Sequence, residues 1–399
     1  MEIYVVRPGD TVDQIAREEG ADVNSIISIN QIEYPYRLAV GQALLLQRIQ
    51  PKASVTPLAG FDGRQPDVSE TGPAGRRGIF RSGYAYPFIS SLVLEETLPF
   101  LSEMAVFSYG FTAEGKLIPP SADDEWMIRQ AERFAAMATL TLTPLGADGR
   151  FNNSLVSALV RQKDVQRRLV AALAGVMQEK GYSAVNIDFE YVLREDRDGF
   201  TSFVAYAAEV LNMLGYGVSV ALAPKYSDAQ QGLLYEGMDY GGLGAAANWV
   251  VLMTYEWGYT YGPPMAVAPI NQVKRVVEYA LTKIRADKIC LGVPNYGYDW
   301  PLPYERGFTA ARTMGNVEAV ELAVFYGVPI LFDETAQSPY FRYWHYGIQH
   351  EVWFEDVRSW REKFRLVETY GLRGIAVWQI MRLFRAGWVL LDSLFGQKL

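Results

Sequence analysis

The chain has 399 residues, half of them hydrophobic and 21% charged, a composition that supports globular domains with a large core. Its 37 basic and 45 acidic residues leave a net charge of −8, which argues against nucleic acid as the main partner. A single cysteine, Cys290, excludes an intrachain disulfide, and two histidines, His345 and His350, make a histidine-rich metal site improbable; no cofactor is expected. Aromatic residues reach 13%, with 25 Tyr and 9 Trp, suited to large cores or to a surface on which sugar rings stack.

The N-terminus lacks a basic stretch followed by an apolar run, so no signal peptide is expected. No apolar run approaches the roughly 18 residues of a membrane span. Ile3–Arg7 is β-rich and stops at Pro8-Gly9. Asp10 or Thr11 can cap the following helix, whose buried side carries Ile15 and Ala16. Asp22–Asn30 reads as a second helix, and Leu38–Leu46 ends as a strand. Residues 1–47 thus form a βααβ unit. Residues 48–78 are rich in proline and glycine and are expected to be a linker.

From residue 79 to 399 the sequence alternates β-rich runs with helical patterns. Strands are expected at Ser82–Tyr86, Met104–Tyr109, Ala138–Leu142, Ala184–Phe189, Val218–Ala223, Trp249–Thr254, Ile289–Val293 and Gly374–Trp378. Apolar residues recur at helical spacing over Asp164–Lys180, Phe200–Leu214, Asn271–Ile284 and Ser359–Tyr370. Eight βα repeats in this length predict a TIM (β/α)8 barrel, an α/β fold. A doubly wound sheet lacks the glycine-rich phosphate loop it would need. About 80 residues separate the last two strands, so a small α+β insertion is expected at about 301–356. Its elements are a helix over Thr309–Tyr326 and strands at Val328–Phe332 and Glu351–Phe354.

The fourth barrel strand carries the main chemical signal. Alternation places Asn186, Asp188 and Glu190 on one face and Val185, Ile187 and Phe189 on the other. Neighbouring carboxylates on that face leave the backbone roughly 6–7 Å apart. Such a strand in a barrel has no solvent-washed face, so three polar groups in the lumen need a reason. Glu190 falls at the C-terminal mouth, where barrel active sites lie. Cys290 is expected to be a buried, inert thiol.

Two resemblances attach to these residues. The first 47 residues resemble a LysM module, through Tyr4-Val5-Val6, Pro8-Gly9-Asp10-Thr11, Ile15-Ala16, Asn30 and Leu38-Ala39-Val40-Gly41-Gln42. That resemblance implies binding of N-acetylglucosamine glycans through Gly9–Val12 and Ile29–Tyr34, with Gly9, Asp10, Thr11, Ile29 and Asn30 as contacts. The rest resembles glycoside hydrolase family 18. Its DGxDxDxE strand is matched by Ser183-Ala184-Val185-Asn186-Ile187-Asp188-Phe189-Glu190, its MxYD by Met253-Thr254-Tyr255-Glu256, and its tryptophan floor by Trp378.

The resemblance implies catalysis by Glu190, Asp188 and Tyr255. It implies substrate contacts from Asn186, Trp378, Glu256, Trp257, Tyr296, Tyr298, Asp299 and Tyr84, with Asn186 bonded to Asp188. Ser183-Ala184, Asn186 and Glu256 depart from the family pattern and count against chitin. The pattern is similar to the spore-associated branch, whose members join LysM to this barrel and hydrolyse spore cortex peptidoglycan next to N-acetylglucosamine. A monomer is expected, made in a mother-cell cytoplasm and deposited in the spore coat or cortex layers. A chitinase, an endo-β-N-acetylglucosaminidase on other glycans, and a non-catalytic glycan-binding protein remain as alternatives.

Overall fold

A computed structural model describes residues 1–48, 76–146, 149–396 and 398–399. Most of the linker expected over 48–78 therefore lies outside the described residues.

At the N-terminus β1 (Glu2–Val5) pairs antiparallel with β2 (Ala43–Leu46), and helices α1 (Val12–Glu19) and α2 (Val23–Ile29) lie between them in the chain. Thr11 caps α1 by accepting from the Gln14 amide, and Asp22 caps α2 through Ser25. Gly20 ends α1 in the left-handed conformation, a backbone state glycine adopts without steric cost. The unit has its own core of Val12, Ile15, Ile26, Ile32, Leu44 and Leu46. It is also docked. Ile29 and Leu45 belong to the core of the large domain. The Val40 carbonyl accepts from the Ile330 amide at 2.8 Å.

The large domain is a closed eight-stranded parallel barrel. Its staves are β3 (Phe80–Ala85), β4 (Glu103–Phe111), β6 (Met137–Leu142), β7 (Ala184–Ile187), β8 (Gly217–Leu222), β9 (Trp249–Leu252), β10 (Ile289–Pro294) and β16 (Gly374–Trp378), closed by the pairing of β3 with β4. A two-residue strand, β5 (Leu117–Ile118), adds to β4. Strands in such a barrel are buried on both faces, which explains their near-continuous apolar runs. Val185, Ile187 and Phe189 point outward under the helices, where Phe189 stacks with Phe111, Phe200 and Phe203. Inside, Phe80, Ala105, Ala184, Trp249, Cys290 and Ala376 fill the lumen. Cys290 is fully buried.

The insertion begins earlier than expected, because β11 (Gly297–Leu302) follows β10 after two residues. Four further strands, β12 (Arg312–Met314), β13 (Leu331–Asp333), β14 (Ser338–His345) and β15 (Ile348–Trp353), complete an antiparallel sheet in the order β12-β11-β15-β14-β13. The helix expected from Thr309 starts only at Asn316, since Arg312–Met314 pairs with β11 instead. No described helix is long and apolar enough to cross a membrane.

Candidate active site

The site lies at the C-terminal mouth of the barrel, in a cleft of about 630 Å³ lined by Asp188, Glu190, Tyr255, Glu256, Trp257 and Trp378 among others. It is built outward from β7. Asn186 lies on the lumen face of that strand. It accepts from the Tyr84 hydroxyl at 3.1 Å and donates to Ser219 Oγ at 2.8 Å. The Asp188 amide donates to the Leu142 carbonyl, which holds the next residue of the chain in register just past the strand end. Asp188 is 5% exposed, and its Oδ1 is buried with no protein partner. Glu190 is half-buried one step further out.

The expected hydrogen bond between Asn186 and Asp188 is not made. Both polar ends of Asn186 are taken by Tyr84 and Ser219, so it anchors the floor beneath Asp188.

Burial pushes the Asp188 carboxyl well above the usual carboxylate range, and the charge of Glu190 adds to it. Glu190 is raised by burial and then by Glu256. Two carboxyls crowded in a dry cleft resist ionising together. A raised acid near the reacting bond is what proton donation near neutral pH requires.

Tyr255 follows β9. Its ring fits because β10 carries Gly292 opposite, where a Cβ would stand 2.9 Å from Tyr255 Cε1 and 2.2 Å from the Leu252 carbonyl oxygen. Burial and the three nearby carboxyls hold its hydroxyl well above the ordinary tyrosine value, so it remains a hydrogen-bond donor. Trp378 ends β16. Its ring is braced by Phe107 at 4.8 Å, Tyr84 at 5.6 Å and Tyr86 at 6.2 Å between centroids and lines the cleft, an aromatic surface on which a sugar can stack.

Several expected contacts lie behind this wall. Tyr296 and Tyr298 do not line the cleft; both donate their hydroxyls to Glu256. Asp299 alternates with Tyr298 along β11 and so faces the other side of the sheet. There it accepts from Tyr343 at 2.7 Å and His350 Nδ1 at 2.9 Å. Tyr84 lies one layer too deep, and Tyr86, two residues on and on the same face, lines the cleft in its place. Phe107, Tyr191, Met253 and Tyr235 also line it. Of these, Met253 and Tyr191 had a sequence signal, since Met253 directly follows β9 within the Met253–Glu256 stretch and Tyr191 follows Glu190 beyond the end of β7.

In the N-terminal unit Gly9 turns the chain at φ 88°. Asp10 Oδ2 is engaged by the Tyr4 hydroxyl and the Arg7 amide. Asn30 clamps α2 to β2, donating to the Ile26 and Leu45 carbonyls and accepting from the Leu45 amide at 2.7 Å. Ile29 is buried against the barrel. These two side chains hold the second loop in place, and Asn30 also lies on the lining of a cleft between this unit and the insertion. Among the described residues, no group of His, Cys, Asp and Glu is arranged to hold a metal ion.

Comparison with known proteins gives two family matches. The model described as glycosyl hydrolases family 18 matches residues 118–382, and the LysM domain model matches residues 4–47. The cortical fragment-lytic enzyme of Bacillus subtilis (strain 168) is 34% identical over 437 aligned positions, covering 99% of this chain and 98% of that protein. The crystal structure of the Bacillus cereus spore cortex-lytic enzyme SleL superposes with a TM-score of 0.90 at 32% identity, covering 100% and 98% of the two chains. A chitinase structure from Chromobacterium violaceum aligns at a TM-score of 0.73 and 25% identity, over 80% of this chain and 100% of that one.

Proposed function

The chain belongs to glycosyl hydrolases family 18, and from that premise we propose that it hydrolyses spore cortex peptidoglycan at the β-1,4 bond following N-acetylglucosamine. The observation that carries this reading is the convergence of Asp188, Glu190, Tyr255 and Trp378 on one cleft. Full-length similarity to the cortical fragment-lytic enzymes of bacilli supports the choice of substrate.

The chemistry is substrate-assisted retention, which departs from the two-carboxylate scheme. Glu190 gives its proton to the glycosidic oxygen as the bond to the anomeric carbon breaks. The substrate's acetamido oxygen attacks that carbon from the opposite side and forms a cyclic, positively charged intermediate. Asp188 orients the acetamido N–H and its negative charge balances the charge that develops. Tyr255 donates to the acetamido oxygen, and Trp378 floors the sugar. Glu190, now ionised, takes a proton from water, which opens the ring with net retention at the anomeric carbon. The N-terminal LysM unit keeps the enzyme on its polymer. We place the protein in the mother-cell compartment during synthesis and in the outer layers of the spore afterwards.

The test is digestion of purified spore cortex, vegetative peptidoglycan and chitin oligomers, with products reduced and read by mass spectrometry. New reducing-end N-acetylglucosamine from cortex is the expected product. Cleavage of chitin oligomers alone would favour the chitinase reading instead.

A further inference from the structure

Among the described residues, none from 297–356 lines the catalytic cleft. The insertion nevertheless reaches the site through a chain of buried amides. Asn295 stands at its start, in the two-residue link between β10 and β11, and is 2% exposed.

The backbone N–H of Asn295 donates to the Trp378 carbonyl at 2.9 Å, one step beyond Pro294 and Trp378, the last paired residues of β10 and β16. Past the last rung no ladder bond holds the chain. The direction in which the Trp378 ring leaves β16 therefore depends on what grips residues 379–382. The Asn295 side chain supplies that grip. Its NH2 group donates to the Gln379 carbonyl at 3.1 Å and to the Arg382 carbonyl at 2.8 Å, which uses both of its hydrogens. From the other side the Ile380 amide donates to the Tyr84 carbonyl at 2.9 Å. The turn after Trp378 is thus wound round one asparagine.

That asparagine is itself oriented by the insertion. Its Oδ1 accepts from Asn316 Nδ2 at 3.1 Å, and Asn316 Oδ1 accepts from the Glu355 amide at 3.0 Å. Asn316 is 3% exposed and opens the insertion helix Asn316–Tyr326. Glu355 lies just past β15, where its carboxylate accepts from Lys363 Nζ at 2.7 Å. Trp360 Nε1 holds the carbonyl before Asn295, that of Pro294, at 3.0 Å. Every polar atom of the Asn295 side chain is bonded, and reversing its amide would set Oδ1 against two carbonyl oxygens. Buried amide networks satisfied in this way are rigid. The ring they direct lines the cleft together with Asp188, Glu190 and Tyr255.

We propose that Asn295 is a positioning residue for the reaction: held by Asn316 of the insertion, it fixes the turn after Trp378 and so the plane of the ring on which the reacting sugar lies. The proposal rests on the hydrolase reading above. Asn295 acts through Trp378 and touches no substrate. Misplacing a binding surface by about 1 Å can cost on the order of a hundredfold in rate, so a small tilt of the ring is enough to be read in the kinetics.

The experiment uses the full chain labelled with 5-fluorotryptophan. The chain has nine tryptophans, and Trp378→Phe identifies the Trp378 fluorine resonance by its absence. Asn295→Ala is the main variant. Asn316→Asp is the second; it keeps the acceptor for the Glu355 amide and loses the donor to Asn295. A negative charge is favoured at the start of a helix, which suits the fold and keeps the new carboxylate without a proton to donate. Both variants are expected to shift or broaden the Trp378 resonance and to leave the tryptophans away from this turn in place. On soluble cortex fragments kcat/KM is expected to fall about tenfold or more for Asn295→Ala and about threefold for Asn316→Asp. A parental Trp378 resonance in both variants, or a moved resonance with parental kcat/KM, would overturn the proposal. Shifts across all the tryptophans with a fall in Tm would overturn it also, as the mark of a purely structural side chain. If Asn295→Ala does not fold, Asn316→Asp decides by the same two readouts. Failure of the parent enzyme to cut cortex would instead sink the hydrolase reading, and the positioning role with it, whatever the resonance does.

Discussion

Tyr298 donates its hydroxyl to Glu256 Oε1 at 2.9 Å, reaching from the first strand of the insertion to the rim of the catalytic cleft. Tyr296 donates to the same oxygen. Burial raises the Glu256 carboxyl, and the two donors work against that rise by favouring its ionised form; the Glu256 charge is in turn the one that raises Glu190 after burial. The insertion thus acts on the acid through Glu256.

One consequence is a shift in pH dependence. Glu190 must be protonated to donate, so its pKa sets the alkaline limb of the rate profile. Glu256 raises that pKa, and its neutralisation lowers it. Glu256→Gln is therefore expected to move the alkaline limb of kcat/KM to lower pH. Profiles of the two enzymes on cortex fragments check this; superimposable alkaline limbs would contradict it.

Asp188 trades stability for chemistry. Its pKa is raised on folding, chiefly by burial. Such a group contributes stability at low pH, and that stability is lost as pH rises through its folded-state value. Asp188→Asn fits the same space without the buried charge. Thermal melts are expected to show the variant more stable than the parent at neutral and alkaline pH, with the difference closing on acidification. In the same protein kcat should fall about a hundredfold. Lower stability at alkaline pH would refute the assignment.

Tyr255→Phe removes one hydroxyl and leaves the ring in the space opposite Gly292. A loss of about ten- to a hundredfold in kcat is expected, since the hydroxyl serves a charge that forms during reaction. Circular dichroism and Tm should match the parent. Unchanged turnover would remove Tyr255 from the mechanism.

Gly41→Ala tests the docking of the LysM unit. The residue has φ 83° and no room for a methyl group against Ile330, so alanine costs about 1 kcal/mol or more in backbone strain alone. Undocking should leave both cores folded. Small-angle scattering is expected to show a larger radius of gyration, while cleavage of short fragments persists. An unchanged radius would mean that the contact adjusts.

The barrel was legible because its strands are continuous apolar runs separated by helical periods, and because the alternation Asn186, Asp188, Glu190 has few purely structural uses inside a barrel. Depth along a strand was harder to read. Tyr84 and Tyr86 share a face, and only the level of the strand end decides which one meets the cleft. Asp299 differs by one residue of alternation, since along β11 it faces Tyr343 and His350 on the side of the sheet opposite Tyr298. Strand β14, Ser338–His345, was missed because its aromatic and basic residues do not alternate cleanly with apolar ones. The bond from Ile330 to Val40, and with it the cleft between the LysM unit and the insertion, joins segments some 290 residues apart in sequence. No local pattern encodes it.

The most direct test of the central assignment is the rate of cortex cleavage by Glu190→Gln beside that of the parent, with folding checked by CD and Tm. The account predicts a folded protein at least about a hundredfold slower, the loss expected of a missing general acid. Near-parental turnover in a well-folded Glu190→Gln protein would contradict it.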